Sequence, residues 1–476
     1  VTPVVGGFHP DPTVCRVGGD YYLACSSFAY FPGVPIFHSR DLLTWRQIGN
    51  ALDRPSQLPL TGAAASEGIY APTLRHHDGR FWLITTNVGG GGSFIVTTDD
   101  PGGQWSEPLW LPGVSGIDPD LAWDADGTCW CTYAGIFQVP IDPHLGAALA
   151  PPRRLWSGAG GQWPEAPHLY RIGDTWYLLI AEGGTDRGHC VTVARGPSPS
   201  GPFEPCPDNP ILTARSTDRP VQSTGHADLV EAADGSWWLV FLGVRPRGGV
   251  PGHHVLGRET FLAPVTWRVG WPVVGEIVSG PAAAVCERDG FDSAVLHPCW
   301  VSPRSYPKLS LRDPPGWLTL HARGDLDDVA PALVARRPAH QSWTARTRVD
   351  ATEGVGGLTL RMDARHHYEI EVRDGRAAAR ARIGPLRQRL GLVTLPPGPA
   401  VLRVDVTATP PGLGPPDAGP DTVRLGVELG DEMVTLAELD GRYLSTEVAG
   451  GFIGRVVGMY AEIGTARFDW FEYSAD

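Results

Sequence analysis

Apolar and polar positions along this chain fall into short runs that read as β-strands, separated by turns rich in Gly, Asp and Pro, and no helical period is sustained over a long window. One such phrase recurs five times. It reads DPTVCRVGGDYYLACS from Asp11, APTLRHHDGRFWLITTN from Ala71, DPDLAWDADGTCWCTYAG from Asp118, EAPHLYRIGDTWYLLI from Glu165 and HADLVEAADGSWWLVFLG from His226. Each copy is a short strand, a turn carrying Gly beside Asp or Gly, and a second strand rich in aromatic and branched residues, which is the pattern of a hairpin. Aligned on their shared apolar position, the copies begin at Asp11, Ala71, Asp118, Ala166 and His226, at intervals of 60, 47, 48 and 60 residues. Each interval holds about four short strands. Five repeats of that size predict a five-bladed β-propeller over residues 1–280.

Beyond residue 280 the texture changes. SGPAAAVCERDG reads as a linker, and strands such as WLTLHARG, GGLTLRMD, HYEIEVRDG and RFDWFEYSA follow one another with turns between them. This second part, residues 281–476, predicts a β-sandwich of jelly-roll type, so the chain as a whole is all-β. The segment TPPGLGPPDAGPD at 409–421 reads as a mobile surface loop.

The repeat alignment carries the first chemical inference. Innermost strands of a propeller face a common axis, so equivalent positions converge although they are distant in sequence. Asp11, Asp118 and His226 then meet at one end of the channel, with Glu165 displaced by one residue in its own blade. Asp120, two residues beyond Asp118, belongs further along the channel wall or in a surface bond. Asp124 and Asp126 suit the hairpin turn; an EF-hand would need acids at Ala122 and Tyr133. The run GGGG at 89–92 lacks the Lys-Ser/Thr and helix of a phosphate loop and reads as a blade-rim turn. Phe28, Tyr30 and Phe31 crowd one loop, more aromatics than the loop needs for its own packing, and at least one is expected to wall a sugar pocket, with Phe28 and Phe31 as the candidates; core packing is the alternative for each. Tyr70 lies beside the axial Ala71 and reaches the channel mouth. Arg258, turned inward, would hold carboxylates ionised and contact substrate hydroxyls; turned outward it is a surface ion-pair partner.

Composition narrows the partners. A net charge of −13 with pI near 5.6 leaves no basic field for nucleic acid, whereas a neutral sugar is indifferent to it. No apolar run is long enough to span a membrane. The eight cysteines include no Cys-x-x-Cys pair, and Cys129 and Cys131 share one strand face as buried thiols do. These features predict a cytoplasmic protein, although Val1 in place of Met leaves room for a removed leader. A homo-oligomer is compatible with the sequence.

The motifs GFHPDP, SSFAYFPGVPIFHSRDL, GIYAPTL, IDPDL, PEAPHLY, STGHADLV and GRET, in this order over the first 280 residues, together resemble glycoside hydrolase family 43, in particular its two-domain β-xylosidases and α-L-arabinofuranosidases. The resemblance implies that Asp11 is the general base, Glu165 the general acid, and Asp118 the carboxylate that raises and orients that acid. It implies that His226 is the axial histidine that in many members helps hold a calcium ion, and that Arg258 lines the sugar subsite. VAGGFIGRVVGMYA resembles the sandwich loop that closes the active site, with Phe452 as its inserted side chain; the alternative for Phe452 is the sandwich core. The implied activity is inverting, exo-acting release of terminal pentose from short oligosaccharides, as a β-D-xylosidase or alternatively an α-L-arabinofuranosidase or bifunctional enzyme. Two departures bear on that choice: Tyr70 stands where such xylosidases carry Trp, and Pro164-Glu165-Ala166-Pro167-His168 where they carry Thr-Glu-Gly-Pro-His. A retaining hydrolase or transferase on the same fold, a non-catalytic sugar-binding propeller and an interaction scaffold are the rival readings.

Overall fold

The computed structural model describes all residues except 283, 412–414, 431 and 476, so part of the 409–421 loop lies outside the described residues. Five antiparallel sheets follow one another in sequence up to Val274, each built in chain order from its innermost strand outwards. Their innermost strands are Thr13–Val17, Thr73–His77, Asp120–Trp123, Glu165–Ile172 and Gln222–Glu231. The second repeat strand is the next one out, as the hairpin pattern requires: Thr13 pairs with Ala24 and Thr73 with Ile84. The turn glycines Gly18, Gly79, Gly127, Gly173 and Gly235 all have φ between 62° and 82°, a region open to Gly at little cost.

Why the second strands are apolar throughout, rather than alternating, follows from their position. Successive side chains of a strand leave on opposite faces, and both faces of a blade are covered by neighbouring blades. Phe81 and Leu83 pack toward the first blade, while Trp82 and Ile84 pack toward the third. Trp176, Leu178 and Ile180 likewise pack toward the third blade, and Tyr177 and Leu179 toward the fifth. Five apolar layers thus fill the five blade interfaces, the last of them joining Val230, Val240 and Leu262 to Val14 and Leu23. Closure is completed by the N-terminal segment: Val4 N–H donates to Thr260 O at 2.9 Å, and Thr260 N–H to Val5 O at 3.1 Å.

The second part is a sandwich organised on its last strand, Val456–Ala475. Its first half pairs with Gly354–Asp363 and its second half with Trp343–Asp350, so one strand belongs to both sheets. The change of sheet falls near Gly464, whose φ of 61° turns the chain between Ile463 and Thr465. The sandwich core is continuous with the propeller through Phe8, Phe28 and Tyr30, which pack in the same cluster as Trp300, Leu333 and Met459. Among the described residues no helix is long and apolar enough to cross a membrane.

Candidate active site

At one end of the channel lies a pocket of about 670 Å³ lined by Asp11, Asp118, Glu165, His226 and Arg258, with Phe28, Tyr70 and Phe452 as its aromatic walls. The backbone that presents these groups is unusual in the same way in four blades. Asp11, Asp118, Ala166 and His226 have φ of 56°, 54°, 50° and 47°. Left-handed backbone at a non-glycine residue costs about 1–2 kcal/mol and persists only where surrounding structure imposes it. The left-handed residue of the fourth blade is Ala166, so Glu165 leaves the chain one residue earlier, from an extended position paired with Ala181 just before a bulge. Its supporting loop is fixed from behind by Glu182, whose carboxylate accepts from the N–H groups of Ala159 and Gly161 at 2.9 and 2.8 Å.

The three carboxylates are held in different states. Burial alone would raise the pKa of Asp11, but Arg258 Nη1 at 2.9 Å, His226 Nδ1 at 3.6 Å and the Ser26 hydroxyl at 2.5 Å bring it below the ordinary carboxylate value. Glu165 is pushed up to about 7 by burial and by the charge of Asp11, with Arg258 acting in the opposite sense. Asp118 is also raised, by burial and by the charges of Glu165 and Asp11. Asp118 and Glu165 cannot both be ionised cheaply in this enclosure. The pair therefore keeps one proton between Glu165 and Asp118 at neutral pH. His226, carried down to about 4 chiefly by burial, is neutral at neutral pH.

Phe28 lies under Arg258, whose Cζ is 5.7 Å from the ring centroid. Phe452 stacks near Phe28 with centroids 6.2 Å apart and meets Tyr70 edge-on at the same distance. The loop of Phe452 is tied to the propeller on both sides: its N–H donates to Ser66 Oγ at 2.9 Å, and its carbonyl accepts from Arg258 Nη2 at 3.3 Å. Tyr70 donates its hydroxyl proton to Ser66 O at 3.0 Å. Phe452 therefore lies in the pocket wall, 39% exposed, and outside the sandwich core.

Phe31 departs from expectation. It is 4% exposed, absent from the pocket, and packed between the first two blades against Tyr306 at 5.2 Å. The next strand of the loop points it away from the channel, and Phe28 alone of the three loop aromatics faces the site. Trp163 is the residue that sequence reasoning left unassigned: it is 70% exposed on the pocket rim, two residues before Glu165. The signal the sequence offers is a tryptophan two residues before the acid.

Two residues deeper along the axis is a second polar ring. Arg75 donates from Nη2 to Asp120 Oδ1 at 2.8 Å and from Nη1 to Asp228 Oδ2 at 2.9 Å. Asp228 also accepts from Thr13, Val14 N–H, Tyr170 and Leu229 N–H, and Asp120 from Leu169 N–H. All five blades meet in this network. Asp120 is thus a buried member of the hub and makes no surface bond.

The side chains present do not form a cage for the calcium ion expected at His226. Among the described residues no three His, Cys, Asp or Glu side chains converge as metal ligands. Asp11 is engaged by Arg258 and Ser26, and the positive charge of the channel is supplied by Arg75.

The family model for glycosyl hydrolases family 43 matches residues 1–272, and that of the β-xylosidase C-terminal concanavalin A-like domain matches 288–474. The chain belongs to glycosyl hydrolase family 43. It is 40% identical to a non-reducing end α-L-arabinofuranosidase of Bacteroides ovatus, over 99% of this chain and 94% of that protein. It is 37% identical to a xylosidase/arabinosidase of Butyrivibrio fibrisolvens, over 99% and 98% of the two chains. Among solved structures, a family 43 protein of Bacillus licheniformis superposes with a TM-score of 0.89 at 30% identity, covering 100% of this chain and 99% of that one. The two family models meet between residues 272 and 288.

Proposed function

We propose that this family 43 chain is an inverting, exo-acting glycoside hydrolase that removes terminal pentose from short xylan-derived oligosaccharides. The observation that supports it is the unequal setting of two carboxylates in one pocket: Asp11, paired with Arg258 at 2.9 Å, lies below the ordinary carboxylate range, and Glu165, without such a partner, is pushed up to about 7. In such a reaction Glu165 gives its proton to the glycosidic oxygen as the bond to the anomeric carbon breaks. A water molecule on the opposite face of the ring loses a proton to Asp11 as its oxygen bonds that carbon, and the anomeric configuration inverts. Asp118 keeps the acid raised and oriented. The acid and base of an inverting enzyme stand about 6.5–9.5 Å apart to admit that water, a spacing that carboxylates on separate blades can provide. Arg258 and Phe28 bind the sugar, and Phe452 with Tyr70 closes the pocket, which favours chain ends over chain interiors.

β-D-Xylose is the first assignment, because the FPGV loop and the Phe452 loop resemble those of the xylosidase subgroup. α-L-Arabinofuranose is the second, favoured by Tyr70 and by the arabinofuranosidase name of the 40%-identical relative. Initial rates on the two nitrophenyl pentosides decide between them, and equal or faster arabinoside hydrolysis overturns the first. Proton NMR of the first-formed sugar tests the stereochemistry: retention of configuration is incompatible with this reading. Binding of sugar with no turnover of any glycoside would instead make the site a lectin.

A further inference from the structure

A second cavity, about 970 Å³ in volume, lies between the first blade and the sandwich and shares no lining residue with the catalytic pocket. Arg337 lines it and is 6% exposed. Its guanidinium carbon stands 5.5 Å from the ring of Phe8 and 5.8 Å from that of Tyr30. Nε and Nη2 are buried with no hydrogen-bond partner, and no carboxylate among the described residues forms an ion pair with the group. The contrast with its neighbour is sharp: Arg336 is bound to Glu287 at 2.6 Å. Burial brings Arg337 down to about 10, so it remains a cation at neutral pH.

A buried cation without a counter-charge is destabilising, and two aromatic faces offset only part of that cost. The remaining imbalance calls for a negative charge arriving from outside the chain. The cavity says which kind. Arg46, Arg288 and Arg336 share its lining with Glu287, Asp289 and Asp292, so these charges offset one another and Arg337 is left as a single positive charge, which suits a single negative one. Trp45 and Leu296, both half-buried, give it flat apolar wall, and the volume far exceeds that of a simple inorganic anion.

We propose that the interdomain cavity is a second ligand site, where Arg337 receives the carboxylate of a ring-bearing monocarboxylic acid whose ring packs on Trp45 and Leu296. Aromatic acids and sugar acids share that chemistry, and benzoate and glucuronate serve as their probes.

The test is isothermal titration of the full chain with benzoate, glucuronate, acetate and phosphate. Wild type and Arg258→Met are expected to bind benzoate or glucuronate one to one with the same Kd, because Arg258 belongs to the other pocket. Arg337→Met weakens that binding by at least about tenfold, and whichever probe binds more tightly identifies the acid class. Trp45→Ala weakens the ring acids and leaves acetate unchanged; this variant decides the matter if Arg337→Met does not fold. The proposal is overturned by absence of binding to wild type, by binding that survives Arg337→Met or Trp45→Ala undiminished, or by binding lost in Arg258→Met. Phosphate or acetate binding as tightly as the ring acids overturns it equally.

Discussion

Two rings of polar side chains follow one another along the channel, with Asp120 and Asp228 two residues beyond Asp118 and His226, and they are used in opposite ways. The upper one, Asp11, Asp118 and His226 with Glu165 beside them, leaves two carboxylates short of donors and raised in pKa. The lower one saturates its carboxylates: Asp228 accepts from Arg75, Thr13, Tyr170 and two backbone N–H groups, and is held well below its usual range despite burial. Residue type does not separate the rings, since Asp occurs in both. Supply of positive charge and N–H donors does. The lower ring, satisfied, ties five blades together, and the rigidity it gives is what lets the upper ring hold like charges close together. Carboxylate-to-amide substitutions at matched depth therefore should have opposite consequences.

The largest difference is expected in activity. Glu165→Gln keeps the shape of the acid and removes its proton, and should lower kcat/KM by about 10²–10⁴-fold, with circular dichroism unchanged. Full activity in that variant would remove Glu165 from the proposed mechanism.

Stability should move the other way. Asp228→Asn leaves Arg75 with one carboxylate fewer in a buried site, a change that costs about 3–5 kcal/mol, read as a lower urea midpoint. Glu165→Gln should raise the midpoint at pH 8. The sign follows from linkage: the folded pKa of Glu165, about 7, lies above its ordinary 4.5, so ionising it in the folded state costs stability. That cost begins above pH 4.5 and is complete above about 7. Removing it gains about 1–3 kcal/mol at pH 8 and nothing at pH 4. If both substitutions destabilise equally at pH 8, the two rings do not differ as described.

How far this division was readable beforehand depends on the residue. Spacing of the hairpin phrase located the blades, because each blade must bury both faces and so repeats one apolar pattern. It also located Asp11, Asp118 and His226 at equivalent places and showed Glu165 one residue early; the left-handed φ at Ala166 gives that offset its cause. Nothing in LRHHDG tells which of its cations turns inward, so the sequence does not mark Arg75 as a hub, and without that partner Asp120 stays open between channel wall and surface bond. The sequence does not place Phe31, because alternation along a two-residue strand, Tyr30–Phe31, sends neighbours to opposite sides, one to the sandwich and one between blades. Phe452 could be assigned only through family resemblance, as 194 residues separate it from Arg258, whose guanidinium meets its carbonyl.

A smaller effect concerns pH. The alkaline limb of kcat/KM should fall as Glu165 loses its proton near pH 7, and the acid limb as Asp11 gains one below the usual carboxylate range. After burial, which acts upward, Arg258 is the strongest influence on Asp11 and acts downward. Arg258→Met should thus shift the acid limb to higher pH, whatever it does to the absolute rate. An acid limb that stays in place would show that another group titrates there.

The smallest expected effect is that of a chelator. Both rings need positive charge to hold carboxylates within one channel, and a divalent ion is one way to supply it. Here Arg75 and Arg258 each stand within 2.9 Å of the carboxylates they neutralise, and His226 alone is a poor anchor for a hard cation that prefers several oxygens. Treatment with EDTA should therefore leave kcat/KM and the urea midpoint of the wild type unchanged. The comparison sharpens in Arg75→Gln, where Asp120 and Asp228 lose their shared cation: added Ca²⁺ should raise the midpoint of that variant and leave the wild type where it was. A wild type that loses activity in EDTA and regains it with Ca²⁺ would show that the arginines are not sufficient, and would return His226 to the role of a metal ligand.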